Sequence, residues 1–355
     1  MPMLADIVDA VIGADTHRDT HQVELATPTG AVIATCSIPN TSTGYAQLLA
    51  WIDQHAPGAQ LAASIEGTRS YGAGLARALT AAGILVLECE QPTHTTRRGT
   101  GKSDPIDAHL AVLTALRLPA DRLPTPRADG DREALRILLG ARTDLTTTLT
   151  AQTNRLRALL RDGDDSDLDL ARSTLTTTIL TTLAHRTTST GTSREHTIRQ
   201  AEIRRLAHAL HTTRRDLNTN RTQLHDIVND LAPGLTHQPG IGPVSAAQAI
   251  VTFSHPGRCR NDAAFAALAG TNPVPASSGR TIRHRLNRGG DRALNNAIHT
   301  IAMTRMRCCP TTRAYVTRRT AEGKTPREIR RCLKRYITRQ LYRTLTNTMT
   351  PTPHP

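Results

Sequence analysis

Four carboxylates in the first third of the 355-residue chain, Asp15, Glu66, Asp104 and Asp107, stand at the ends of apolar or periodic stretches. Asp15 closes VDAVIGAD, Glu66 closes LAASIE, and Asp104 with Asp107 open a helical stretch in KSDPIDAH. Hard oxygen donors converging from several elements suit magnesium, and two such ions can activate a hydroxyl and stabilise the leaving oxygen of a phosphodiester. The spacing of three puts Asp104 and Asp107 on one side of a first helical turn, where both can face a sheet edge. Each acid also has a plainer reading. Asp104 before Pro105 makes a good helix N-cap, Asp107 complements the helix dipole, and Asp15 and Glu66 suit turns at strand ends. Their joint order argues for catalysis: one acid on the first strand, one on the fourth, a pair on a later helix.

A second constellation lies in the last third. Ser277 and Ser278 precede Gly279 on a loop, immediately ahead of Arg280, Arg283, Arg285 and Arg288. A serine hydroxyl can attack phosphorus where arginines stabilise the charge developing on the phosphoryl oxygens. Taken by their chemistry alone, these serines merely bind phosphate or cap a turn, and that plainer role is the favoured one. Upstream, HQPGIGPVSAAQAI has the form of a helix-hairpin-helix element, with Gly240 and Gly242 turning backbone N–H groups toward a phosphate.

The elements that must position these groups follow from periodicity. Three short strands read as a meander over residues 8–38, then a helix over about 43–55, the strand LAASIE, a helix over 71–82 and the strand ILVLEC. Such a mixed sheet is the layout expected of an RNase H-like domain, and the acid order is that of RuvC-like nucleases. A helix after Pro105 ends at Pro119, and a proline-rich loop closes this first domain. Two long polar helices, about 129–162 and 194–231, carry apolar residues at threes, fours and sevens and suit an antiparallel coiled coil. The threonine-rich stretch between them shows no pattern that specifies its structure.

Charge is regional. The chain carries +14 overall, yet Met1 to Leu118 holds 7 Lys/Arg against 11 Asp/Glu. From Arg280 to Arg343 there are 18 Lys/Arg against three acids, the expected electrostatic footprint on nucleic acid, with Arg330, Arg331 and Arg335 at its centre. Aromatic residues make up 2% of the chain, which excludes base stacking as the main mode of recognition. The six cysteines form no C-x-x-C pair, so zinc and disulfide frameworks are unsupported and reduced cytoplasmic thiols are expected. No apolar run approaches a membrane span, and the start lacks the pattern of a signal peptide, so no membrane partner is expected.

Together, IGADTHRDTH, SIEGTRSYG, KSDPIDAH, PGIGPVSAA, FAALAGTNPVPASSG and RLNRGGDRALNNAIH make the chain resemble the insertion sequence 110 family of transposases. The resemblance implies an α/β RuvC-like domain over 1–126, a helical coiled-coil connector over 127–232 and a mainly α transposase domain over 233–345. It implies that Asp15, Glu66, Asp104 and Asp107 bind magnesium and that Ser278, rather than Ser277, forms a covalent link to DNA. It further implies a homo-oligomer, dimer or tetramer, guided by an RNA encoded by its own element. Two rival readings remain: a structure-specific nuclease such as a Holliday-junction resolvase, which needs no Ser278, and a non-catalytic nucleic-acid-binding protein.

Overall fold

In the computed structural model, residues 2–89, 104–120, 123–127, 130–187, 193–276 and 284–349 are described, the side chains of 104–106 excepted. Clustering of the backbone separates two compact units, residues 1–133 with 253–261, and residues 134–252 with 262–355.

The first unit is built on a five-stranded sheet in the order β3-β2-β1-β4-β5. Its strands are β1 (Ala10–Thr16), β2 (Thr20–Ala26), β3 (Val32–Pro39), β4 (Leu61–Glu66) and β5 (Leu85–Cys89). The first three form the antiparallel meander that the sequence predicts, and β4 and β5 add in parallel beside β1. Parallel addition needs crossovers, supplied by α1 (Ser42–His55) and α2 (Ala73–Ala81). Strand side chains alternate between faces, so Ala10, Ile12 and Ala14 bury themselves among Leu48 and Ile52 of α1 and Leu75 and Leu79 of α2. The opposite face carries Val11, Ala62 and Leu87, which pack on Val112, Ala115 and Leu116 of α3 (Asp104–Leu116). Thr41 starts α1 as an N-cap, its hydroxyl accepting from the Gly44 amide at 3.2 Å.

The second unit is helical apart from one small hairpin. Its long helices α4 (Gly130–Arg161) and α7 (Arg194–Leu231) lie antiparallel: Asn220 donates to the Leu138 carbonyl at 2.9 Å, while Thr213 reaches Gln152 at 3.1 Å. The threonine-rich stretch, silent in sequence, folds as two short helices, α5 (Asp165–Arg172) and α6 (Thr177–Ala184). Leu175, Leu180 and Leu183 from this stretch join Leu156, Leu160, Ile203, Leu206 and Leu210 of the long pair in one apolar cluster. Asp164 and Thr176 cap the two short helices, which is the work that the polar residues do there. Then follow α8 (Pro243–Phe253), α9 (Asp262–Leu268), the hairpin β6 (Pro273–Pro275) and β7 (His284–Leu286), α10 (Arg292–Cys308), α11 (Pro310–Ala321) and α12 (Pro326–Met349). Ile329, Leu333, Ile337, Leu341 and Leu345 recur every four residues along α12, the buried stripe by which it packs on α9 and α10. Among the described residues, no helix is long and apolar enough to cross a membrane.

Candidate active site

Three of the four acids singled out in the sequence come to one edge of the sheet. On the parallel strands β1 and β4, Ala14 is level with Ile65, and one residue further each strand carries its acid, Asp15 and Glu66. Alternation places both on the face of Val11 and Ala62, the face covered by α3. That helix runs antiparallel to β1, because the Ala108 carbonyl lies over Gly13 while Leu116 packs beside Val11 and Ala26. Its first turn therefore sits at the acid end of the strands. Asp107 is 8% exposed and one turn ahead of buried Ala111, on the sheet-facing stripe of the helix.

Gly13 sets how close this helix can come. A Cβ there would lie 2.2 Å from the Ala108 carbonyl oxygen and 2.6 Å from Val112 Cγ2, so only glycine lets α3 rest on the middle of β1. Asp15 itself is 6% exposed, and the imidazole of His17 stands 3.3 Å from its Oδ2. Asp104 opens α3, but its side chain lies outside the described residues. Among the described residues, no three His, Cys, Asp or Glu side chains stand together as a ready metal cage. The residue types suit a hard divalent cation nonetheless, since Asp15, Glu66 and Asp107 stand on three elements at one end of the sheet.

Two further acids went unread in the sequence. Glu24, level with Gly13 on β2 and 5% exposed, accepts from His109 Nδ1 of α3 at 2.6 Å. Glu88 of β5 takes a fork of two bonds from Arg127, at 2.6 and 2.5 Å, with Arg69 Nε at 3.3 Å. The first pair ties α3 to β2 beside the acid edge. The second anchors the closing loop to β5 with both partners buried. The alternation of polar and apolar residues in HQVELAT was the one available signal for Glu24.

In the second unit, α7 ends at Leu231 and α8 begins at Pro243, so Gly240 and Gly242 do fall in a turn between helices. Gly240 has φ +77°, and a Cβ on it would meet the Ile301 carbonyl and Arg305 Cγ at 3.0 Å, so this glycine serves packing on α10. Arg305 also donates to the Pro239 carbonyl at 2.6 Å. The Gly242 amide donates to Ser245 Oγ at 3.2 Å, and its α-carbon faces a groove with Arg142, Arg221 and Thr300 on its walls. Ser277, Ser278, Arg280 and Arg283 lie outside the described residues. Exposed Arg285 is on β7, level with Val274, and exposed Arg288 follows that strand. On α12, Arg331 is exposed, while half-buried Arg330 and Arg335 donate to the carbonyls of Pro326 and Asp262 at 3.1 and 3.4 Å.

Comparison with known proteins covers both halves. Residues 12–163 match a transposase family of the DEDD insertion sequence 110 type, a span that includes all four acids. Residues 232–317 match the transposase IS116/IS110/IS902 family, a span that includes the glycine turn and both serines. A 43.6 kDa protein of Streptomyces coelicolor, described as an uncharacterised protein of insertion element IS110, is 36% identical over 118 residues. That match takes in 33% of this chain and 29% of the relative, so less than a third of the relative's length is spanned.

Proposed function

Since the chain belongs to the IS110 family of transposases, we propose that it is the DNA-cutting and rejoining enzyme of an insertion sequence. The observation that carries this reading is the meeting of Asp15, Glu66 and the first turn of α3, with Asp107, at one sheet edge. The strand order β3-β2-β1-β4-β5, with an antiparallel meander and two parallel strands, supports a RuvC-like domain around that edge.

Asp15, Glu66, Asp104 and Asp107 hold a divalent cation, magnesium by the hardness of the donors. When bound, the ion supplies Lewis acidity toward a phosphoryl oxygen. Buried Asp15 and Asp107 present oxygens held by packing, which lowers the cost of ordering them at the moment of reaction. Ser278 is the nucleophile. Its Oγ bonds to phosphorus as the phosphorus–oxygen bond to a sugar hydroxyl breaks; the serine proton is lost and the leaving oxygen takes one up. The resulting phosphoserine ester keeps the phosphoester bond available for rejoining when a second sugar hydroxyl attacks and serine leaves. Arg280, Arg283, Arg285 and Arg288 offset charge on the phosphoryl oxygens. Gly242, in a helix-hairpin-helix turn, and the α12 arginines grip backbone phosphates. An element-encoded guide RNA and assembly into dimers or tetramers complete the reading.

The test is to incubate the purified chain with DNA bearing the element's ends, the flanking RNA and magnesium, and to measure joined product and covalent protein–DNA adduct. Wild type should give both, Ser278→Ala neither, and Asp15→Asn should lose joining while DNA binding stays within about twofold, since the basic surface is untouched. An adduct that survives Ser278→Ala and disappears in Ser277→Ala would move the nucleophile by one residue. Cleavage with no adduct in any variant would favour a nuclease that uses the acids alone.

A further inference from the structure

Far along the chain from the acids, the second unit contains a cavity of about 590 Å³ bordered by Arg288, Arg292, Asn295, His299 and Lys334. Among the described residues on its wall there is no acidic side chain. Asp291, next to it in sequence, is occupied as the N-cap of α10, accepting from the Leu294 amide at 2.8 Å. Asn295 and His299 are one turn apart on α10, and Lys334 reaches the same wall from α12.

Lys334 differs from the arginines around it on α12. Its ammonium is half-buried and donates to Asn295 Oδ1 at 2.5 Å. That amide cannot turn over, because its Nδ2 donates to the carbonyls of Ala269 and Gly270 at 2.7 and 3.3 Å. The turn that follows α9 thus fixes Asn295, and Asn295 fixes the lysine at the cavity wall. An ammonium has three donors, so this anchor leaves two for a ligand. Burial pushes Lys334 below the usual lysine value, and His299 is lowered by burial first and then by Lys334 and Arg330. Cations held in place against burial and against one another gain when an anion joins them.

We propose that this cavity is a phosphate pocket in which Lys334, His299, Arg288 and Arg292 hold one phosphodiester group of a nucleic-acid backbone. Several converging cationic and neutral N–H donors with no carboxylate suit a doubly acceptor-rich oxyanion. The open, 590 Å³ volume exceeds what one free phosphate fills, which suits a group carried on a longer chain. The assignment rests on the nucleic-acid reading above for its source of phosphate, and it does not depend on strand joining. In sequence Lys334 is one cation among eighteen; its tether to Asn295 at the cavity wall is what singles it out.

The full chain can be tested by thermal melting in inorganic phosphate, with chloride at matched ionic strength as reference, and by binding to a DNA duplex and an RNA hairpin of arbitrary sequence over a salt series. Wild type should melt higher in phosphate and bind at least one nucleic acid. Lys334→Met should lose the phosphate response and lower the slope of log affinity against log salt by about one, and Lys334→Arg should retain both. Arg288→Gln, at an exposed position that folding tolerates, should weaken the phosphate response in the same sense. Arg331→Gln lowers the slope without touching the phosphate response, which separates the pocket from a general loss of charge. A Lys334→Met protein that keeps the wild-type phosphate response, or a folded Arg288→Gln protein with an unaltered one, overturns the pocket. A wild type that responds to phosphate but binds neither nucleic acid overturns the nucleic-acid assignment instead.

Discussion

The two units handle charge in opposite ways. In the first, Asp15, Glu24, Glu88 and Asp107 are each less than a tenth exposed, in a stretch of chain that is mildly acidic overall. In the second, Asp167, paired with Arg186 at 2.6 Å, is the buried acid among the described residues, and the cations of α12 mostly face outward. Burying a charge is costly unless a partner or metal compensates it, and in the first unit Asp15 stands beside His17, Glu24 is bonded by His109 and Glu88 by Arg127. Exposed guanidinium groups carry no such constraint. Their contributions to binding a polyanion add up, and losing one is a small matter. The first unit thus buries its acids, whereas the second exposes most of its cations, and Lys334 is held there by a side chain at a cavity wall.

The largest effect that would sharpen this contrast is the removal of Arg127. In Arg127→Met the Glu88 carboxylate stays buried without its fork, and breaking one side of such a pair costs about 3–5 kcal/mol. Arg69, half-exposed at 3.3 Å, should hold the loss near the lower figure. Chemical denaturation of the full chain measures it, and a change below about 0.5 kcal/mol, the range of surface substitutions, would break the contrast.

A second comparison uses two thiols. Burial pushes Cys36 on β3 up to about 11, whereas Cys309, ahead of α11, is brought down to about 7 by hydrogen bonds from Thr311 and then Thr312. Only the thiolate reacts. Alkylation of Cys309 should therefore be present above about pH 7 and fade as the pH falls through that value, while Cys36 stays unmodified until far more alkaline solution. Mass spectrometry of each site over a pH series checks this, and equal labelling at neutrality would contradict it.

The smallest effect is expected at Arg331, exposed on α12. Arg331→Gln should leave stability within about 0.5 kcal/mol while lowering the salt slope of nucleic-acid binding by about one. A slope equal to that of wild type would mean that this face of α12 does not meet the ligand.

Much of the first unit was legible in the residues. HQVELAT and AVIATCSI alternate strongly enough to read as strands, and LAASIE and ILVLEC are short apolar runs flanked by turn residues. Their bounds in the structure differ from the reading by at most two residues, as at β1, which runs from Ala10 to Thr16, and LAASIE agrees at both ends. The long helices α4 and α7 were equally plain, since thirty or more residues of helical spacing leave little ambiguity. What the residues did not reveal was the role of the threonine-rich stretch. Leu175, Leu180 and Leu183 lie too far apart and among too many threonines to form a local pattern; their partners, Leu156 and Ile203, are on other helices. Nor did the residues distinguish Gly240 from Gly242: both line one groove, but only the first packs closely on α10.

The sequence by itself determined the order and type of the main elements and placed each acid at the end of one, because propensity, periodicity and capping act over a few neighbouring residues. Only the tertiary structure decided that Asp15 stands level with Glu66, that Gly13 lets the first turn of α3 come down beside them, that Glu24 meets His109, and that Lys334 is held by Asn295. Those outcomes depend on strand register and helix packing between residues 39 to 95 positions apart, and burial, which gives a charge its partner and its chemistry, exists only once distant elements have packed.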